Sequence, residues 1–190
     1  AAMDTVMDDI HRLYDFIFID CPAGMGKGVE TAFRLSDRVI LLVAPSWSSR
    51  RNADRLLPLI GKGKIWKYVL NRFTAKEGIG LSFQEVYDTL DEESFGGVIP
   101  YSIMADRLGN RGEIAEFREK SAYGRALYDV LRCLLKDKDI PAARWLSSLR
   151  LSDRENEEET ESKNDRNKKT ERAGLSWYSS SSAYKWRRRR

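Results

Sequence analysis

A chain of 190 residues, 42% hydrophobic and 33% charged with a formal net charge of +4, has room for one domain plus an appendage and enough apolar content for a core. No apolar run reaches bilayer-spanning length and no signal-peptide pattern opens the chain, so a spanning-helix reading is excluded. Cys21, Cys133 and the single histidine, His11, stand at spacings that suit neither a disulfide framework nor a metal cluster, which fits a reducing cytoplasm.

An apolar-periodic stretch over residues 2–13 leads into Tyr14-Asp15-Phe16-Ile17-Phe18-Ile19-Asp20, a near-continuous apolar run predicted to be a buried parallel strand that carries a carboxylate to the sheet edge. The loop Cys21-Pro22-Ala23-Gly24-Met25-Gly26-Lys27-Gly28 follows at once. Three glycines there let the backbone approach a ligand, and open sheets bind ligands at the carboxyl ends of their strands. An Asp and a glycine-rich loop in that position suit a phosphate and its Mg²⁺, although an Asp that merely caps the next helix would look the same.

Further along, the spacing predicts a helix near 28–36, a strand over 38–44 and a helix near 48–60 with Ala53, Leu56, Leu57 and Ile60 on one stripe. A strand over 65–71, a helix near 82–90, a strand over 97–100 and a helix over 121–135 complete the body. Strands alternating with helices imply an α/β fold with a mostly parallel sheet flanked by helices and right-handed crossovers.

The order of these segments resembles the MinD/ParA family of P-loop ATPases from its Walker B Asp onward, most of all its MinD-like branch. The stretch 14–60 is similar to the family's hydrophobic strand, D-x-P-A-G loop and P-x-x-x-S-x-R-D-A-x-R helix. Val69-Leu70-Asn71-Arg72-Phe73 and Gly97-Val98-Ile99-Pro100-Tyr101 are similar to the segments that flank the adenine base. Arg107–Glu113 and Ser121–Tyr128 resemble the approach to the last core helix. The family's phosphate cradle, G-x-x-x-x-G-K-[ST], is not in these residues: around Gly26-Lys27, Cys21 stands for the first Gly and Gly28 for the hydroxyl residue. The sequence therefore reads as the C-terminal portion of such an ATPase, truncated before its Walker A segment.

The resemblance implies roles for an intact protein that binds and hydrolyses Mg-ATP and helps to place the division septum or, in the ParA-type alternative, to partition chromosomes or plasmids. Asp20 would hold Mg²⁺ through a water, and Gly24 would set its N–H near the γ-phosphate, the two acting in catalysis. Asn71 would bind the adenine edge, with Arg72 and Pro100 lining the base pocket. Ser48, Arg51, Asn52 and Asp54 would face an ATP-dependent homodimer partner or a regulatory protein, with Asn52 standing where the family usually has Asp. Read without the family, Asn71 is equally a strand-end turn residue, and Arg51 and Asp54 a solvated helix face.

Residues 1–138 are thus expected to form the ATPase part, 139–151 a short amphipathic helix, and 152–190 a disordered charged and basic-aromatic tail. Residues 151–190 hold eleven basic and eight acidic groups, most of the chain's net charge. Three readings stay open for this end. It is an inert solvated extension; or an anchor on an anionic membrane surface, through Trp145, Leu146 and Leu149 or the terminal arginines, which would place the protein at the inner face of the membrane; or a nucleic-acid contact, ranked below lipid. Other chemistry is also open: a thiolate phosphatase loop at Cys21–Lys27, lacking the Arg of C-x-x-x-x-x-R; a bacterial tyrosine kinase, with only Tyr178 and Tyr184 near the end; or a nucleotide-blind remnant that binds a partner.

Overall fold

The computed structural model describes residues 2–21, 24–61, 63–76, 78–89, 92–114, 120–136 and 140–181, with side chains up to residue 169. Three parallel strands, β1 (Arg38–Val43), β2 (Ile65–Phe73) and β3 (Phe95–Pro100), pair in the order β1-β2-β3. Parallel neighbours need crossovers, and these are supplied by α3 (Trp47–Leu56) between β1 and β2 and by the short α4 (Phe83–Tyr87) between β2 and β3. Helices α1 (Ala2–Ile10) and α2 (Lys27–Leu35) precede the sheet; α5 (Ile103–Arg111), α6 (Ala122–Lys136) and α7 (Ala142–Ser181) follow it. The α/β class and the order of the three paired strands agree with the sequence pattern, while α5 was not among the expected elements.

Helix ends follow local chemistry. Ser46, Ser82 and Ser102 cap α3, α4 and α5 through their hydroxyls, and Ser82 forms a reciprocal capping box with Glu85. Helix α5 stops at Gly112, whose φ of 71° is the left-handed conformation that glycine adopts without a Cβ clash.

The core lies along the central strand, where Tyr68, Val69 and Leu70 are buried, and it extends through Val98 of β3 to Val130 and Cys133 of α6 and to Trp145 and Leu149 of α7. β3 admits these helices because it carries Gly96-Gly97. A Cβ on Gly97, which sits at φ 128°, would fall 2.7 Å from Trp145 Cη2 and 2.8 Å from Val130 Cγ2. The Trp145 indole donates to the Ile140 carbonyl at 3.1 Å, so the large ring is buried with its one donor satisfied. A second latch joins α6 to α7: Asp129, 1% exposed, takes both arms of the Arg144 guanidinium, one at 2.8 Å.

Three expectations are corrected. Residues 14–20 are not a strand: they belong to no ladder, with Phe16 and Phe18 64% and 81% exposed. An apolar run becomes a strand only when a neighbour takes up its N–H and C=O groups, and none of the described strands lies against this one. The amphipathic helix placed at 139–151 exists as the first turns of α7, but its stripe of Trp145 and Leu149 is core and is not available to lipid.

The tail expected to be disordered from residue 152 is instead helix to Ser181. Its Glu, Lys and Arg are good helix formers, and they extend a helix already nucleated and docked, which removes the cost of starting one. Tyr184, Trp186 and Arg187 to Arg190 lie outside the described residues.

Candidate functional site

The strand ends of β2 and β3 build the most chemically specific feature of the described residues. Asn71 pairs with Ile99 and Phe73 with Pro100, so Arg72 is an extra residue in β2 and sits at φ 64°. A bulge re-aims a side chain, and a non-glycine residue in this conformation costs of order 1 kcal/mol, which neighbours must offset. Here they do. The guanidinium forks onto the Asp106 carboxylate at 2.7 and 2.9 Å and lies 5.0 Å from the centroid of the Tyr101 ring. The hydrogen bond to Asp106 holds the Arg72 guanidinium above its ordinary pKa.

Beside this pair opens a cleft of about 130 Å³ lined by Asn71, Arg72, Pro100, Tyr101, Ser102, Ala105, Asp106, Ile114 and Tyr123. Burial raises the Tyr123 pKa, Asp106 adds to the rise and Arg72 opposes it, so the phenol is neutral at physiological pH. The arrangement offers the ring of Tyr101 and an Asn71 amide that can both donate and accept. Those are the requirements of a planar heteroaromatic ring with a hydrogen-bonding edge. A larger cleft of about 560 Å³ shares Arg72 and Tyr101 and has α7 residues Asp153, Asn156, Glu157, Thr160 and Glu161 in its wall.

The structure brings together Asn71, Arg72 and Pro100, the three residues expected to line a base pocket. Asp20 and Gly24 are not in that cleft: Asp20 is exposed in the unpaired segment, and Gly24, at φ 121°, has no atom beyond its chain neighbours within 4 Å of where its Cβ would stand. Pro22 and Ala23 between them lie outside the described residues. Among the described residues no group of three His, Cys, Asp or Glu could hold a metal ion, so a Mg²⁺ at Asp20 would take the rest of its ligands from water and phosphate oxygens, as that ion commonly does.

Ser48, Arg51, Asn52 and Asp54 lie on the exposed side of α3. The Ser48 hydroxyl is 3.1 Å from that of Ser46, Arg51 donates to the Trp47 carbonyl at 3.4 Å, and Asp54 pairs with Arg50 one turn away. Cys21 is half-buried against the core with its sulfur 3.9 Å from the Ile19 carbonyl. None of the described helices is long and apolar enough to cross a membrane.

Sequence reasoning missed Asp106, Tyr123, Asp153 and Asn156. For Asp106 a signal existed, since it lies in the first turn after the Ser102 cap and beside the strand end that carries Arg72. Nothing local marks the two α7 residues.

No protein-family model matches the chain. It is 33% identical over 149 residues, 71% of its length and 55% of the relative's, to the septum site-determining protein MinD of Buchnera aphidicola subsp. Schizaphis graminum. Among solved structures, MinD in the MinC:MinD cell division protein complex of Aquifex aeolicus is 31% identical with a TM-score of 0.64, over 75% of this chain and 61% of that one. The septum site-determining protein MinD of Pyrococcus horikoshii, complexed with Mg-ADP, shares the fold at 23% identity and a TM-score of 0.56, over 70% of this chain and 55% of that one. The chain thus spans about half the length of the curated relatives that it matches. Ordered motifs, parallel α/β topology and these likenesses agree, and the chain belongs to the MinD-like P-loop ATPases.

Proposed function

We propose that this chain supplies the nucleotide-base side of a MinD-type ATPase acting in cell-division site selection. The observation that carries the reading is the cleft in which the bulged Arg72, Asn71 and Pro100 meet. Adenine is the ring class it suits, because the Asn71 amide can pair with both a ring nitrogen and an exocyclic amine. Support for a nucleotide comes also from the Mg-ADP named for the Pyrococcus relative.

Asp20 and Gly24 are the residues this reading assigns to Mg²⁺ and the γ-phosphate in the intact protein. Bound there, Mg²⁺ would neutralise charge on the β- and γ-oxygens. Both residues stand apart from the base cleft, so these 190 residues by themselves are assigned base binding and no hydrolysis. The exposed α3 face with Ser48, Arg51, Asn52 and Asp54 is the surface proposed for a second copy or a regulatory protein, in keeping with the MinC partner named for the Aquifex relative. Attachment to an anionic membrane would rest on residues 175–190 alone, since the Trp145 stripe is core.

Calorimetric titration tests the reading. ATP and adenosine should bind with similar, weak affinity, because the phosphates find no cradle, and Asn71→Ala should abolish both. A low-micromolar affinity for ATP, or adenosine binding that survives Asn71→Ala, would overturn it. The competing reading is a nucleotide-blind partner-binding protein, favoured by the exposed Asp20 and by the absence of G-x-x-x-x-G-K-[ST] from these residues. It requires that adenosine not bind at all.

A further inference from the structure

Helix α7 reaches the two walls of the base cleft from behind. One wall is the end of β2 and the other the end of β3, and they are joined directly by the Tyr101 N–H, which donates to the Phe73 carbonyl at 2.7 Å. On the β2 side, the Asp153 carboxylate accepts from the Thr74 hydroxyl at 2.6 Å and from the Ala75 N–H at 2.8 Å. On the β3 side, Ser152 and the Asn156 amide both donate to the Tyr101 carbonyl, at 2.7 and 2.9 Å, while the Asn156 oxygen accepts from the Ile103 N–H at 2.9 Å. Ser152 and Asp153 are buried although both are polar, a placement that costs free energy unless each polar atom is satisfied.

These bonds are not a generic docking seam. All five end on backbone or side-chain atoms within three residues of Arg72 or Pro100, the residues that face the cleft. Elsewhere α7 uses different partners: Glu155 accepts from the Ala122 N–H at the start of α6, and Glu159 pairs with Arg107 of α5. The polar sequence that reads as a solvated tail therefore carries one turn, 152–156, whose side chains grip both strand ends.

We propose that Ser152, Asp153 and Asn156 are positioning residues for the base cleft, setting the separation of its β2 and β3 walls so that the Asn71 edge and the Pro100-Tyr101 surface meet the same ring. The inference rests on the base-cleft reading above. Linkage makes the effect reciprocal: a ring bound between the walls also tightens α7 onto the body.

The test uses the whole chain, with adenosine as the probe, followed by ¹H–¹⁵N NMR at the Arg72 and Tyr101 amides. Asn156→Asp keeps the size of the side chain and the acceptor for Ile103 but removes the donor to Tyr101. Asn156→Ala removes both, and Glu159→Gln breaks an α7 contact that touches neither wall. Asn156→Asp should bind adenosine about five- to tenfold more weakly, the scale of one lost hydrogen bond, and Asn156→Ala at least as weakly, while Glu159→Gln binds as the parent does. Equal affinity in Asn156→Asp and the parent, or an equal loss in Glu159→Gln, would overturn the proposal.

If adenosine moves neither amide in the parent chain, the base-cleft reading is what fails. The grip of residues 152–156 on the two strand ends is then judged without ligand, by amide exchange. Faster exchange at Arg72 and Tyr101 in Asn156→Asp than in Glu159→Gln supports it, and equal rates refute it.

Discussion

Trp145→Ala separates a core helix from a lipid-docking one. The ring is 1% exposed, touches the bare backbone of Gly97, packs 6.1 Å from the Phe95 ring centroid and donates to the Ile140 carbonyl. Truncating a buried Trp costs about 3–5 kcal/mol, because the transfer energy of the ring is lost and the cavity collapses only in part. Taking about 4 kcal/mol and a urea m-value of about 2 kcal/mol/M, the unfolding midpoint should fall by about 2 M at unchanged m. Far-UV circular dichroism through a urea series reads this directly. A Trp held ready for lipid would be exposed in buffer, and its removal would stay within about 0.5 kcal/mol. Since about 4 kcal/mol is a large share of a domain's stability, Trp145→Phe is the companion variant: it keeps most of the ring and loses chiefly the indole donor, worth about 1 kcal/mol. A midpoint shift below about 0.5 M in Trp145→Ala would refute the placement of α7 in the core.

Gly97→Ala should destabilise by about 2 kcal/mol or more, from a left-handed φ and a Cβ driven into Trp145, and thermal melts should show it; an unchanged melting temperature would mean that α7 does not press on β3. Asp20→Ala should change stability by less than about 0.5 kcal/mol, as its side chain is exposed in an unpaired segment, and a larger loss in urea titration would show that the segment is structured around it. The Ser82 N–H and hydroxyl hold the Glu85 carboxyl below its usual pKa. A carboxyl with a depressed folded-state pKa contributes stability above its unfolded value, and that contribution is lost as pH falls through the lower folded value. An NMR titration should therefore place Glu85 below free glutamate, and a midpoint at or above that of the free residue would dissolve the capping box of α4.

How much was legible depends on whether the information was local. The apolar runs of β1, β2 and β3 and the stripe of α6 were readable because period and turn chemistry act within a few residues. Asn71, Arg72 and Pro100 could be singled out by resemblance, and the structure places them along one cleft. The bulge that turns Arg72 toward Asp106 and Tyr101 could not be read, because it depends on the register between two strands whose paired residues are 27 or 28 apart in the chain.

Patterns that define a face do not define what covers it. Residues 14–20 have the composition of a strand, yet pairing is a property of two segments, and the run stays unpaired with Phe16 and Phe18 exposed. Trp145, Leu146 and Leu149 announce an apolar stripe equally suited to lipid or to core; only Gly96-Gly97, far away in sequence, leaves the space that decides it. The same holds for Asp153 and Asn156. In a run of charged and polar residues they are indistinguishable from their neighbours, and they acquire a role only because α7, docked through Trp145, carries them two to three turns on to the open N–H and C=O groups at the ends of β2 and β3. Local periodicity settled the three paired strands and the α6 stripe, and tertiary packing settled whether a run such as 14–20 pairs at all and which side chains meet, because burial and hydrogen-bond satisfaction are decided by partners and not by sequence neighbours.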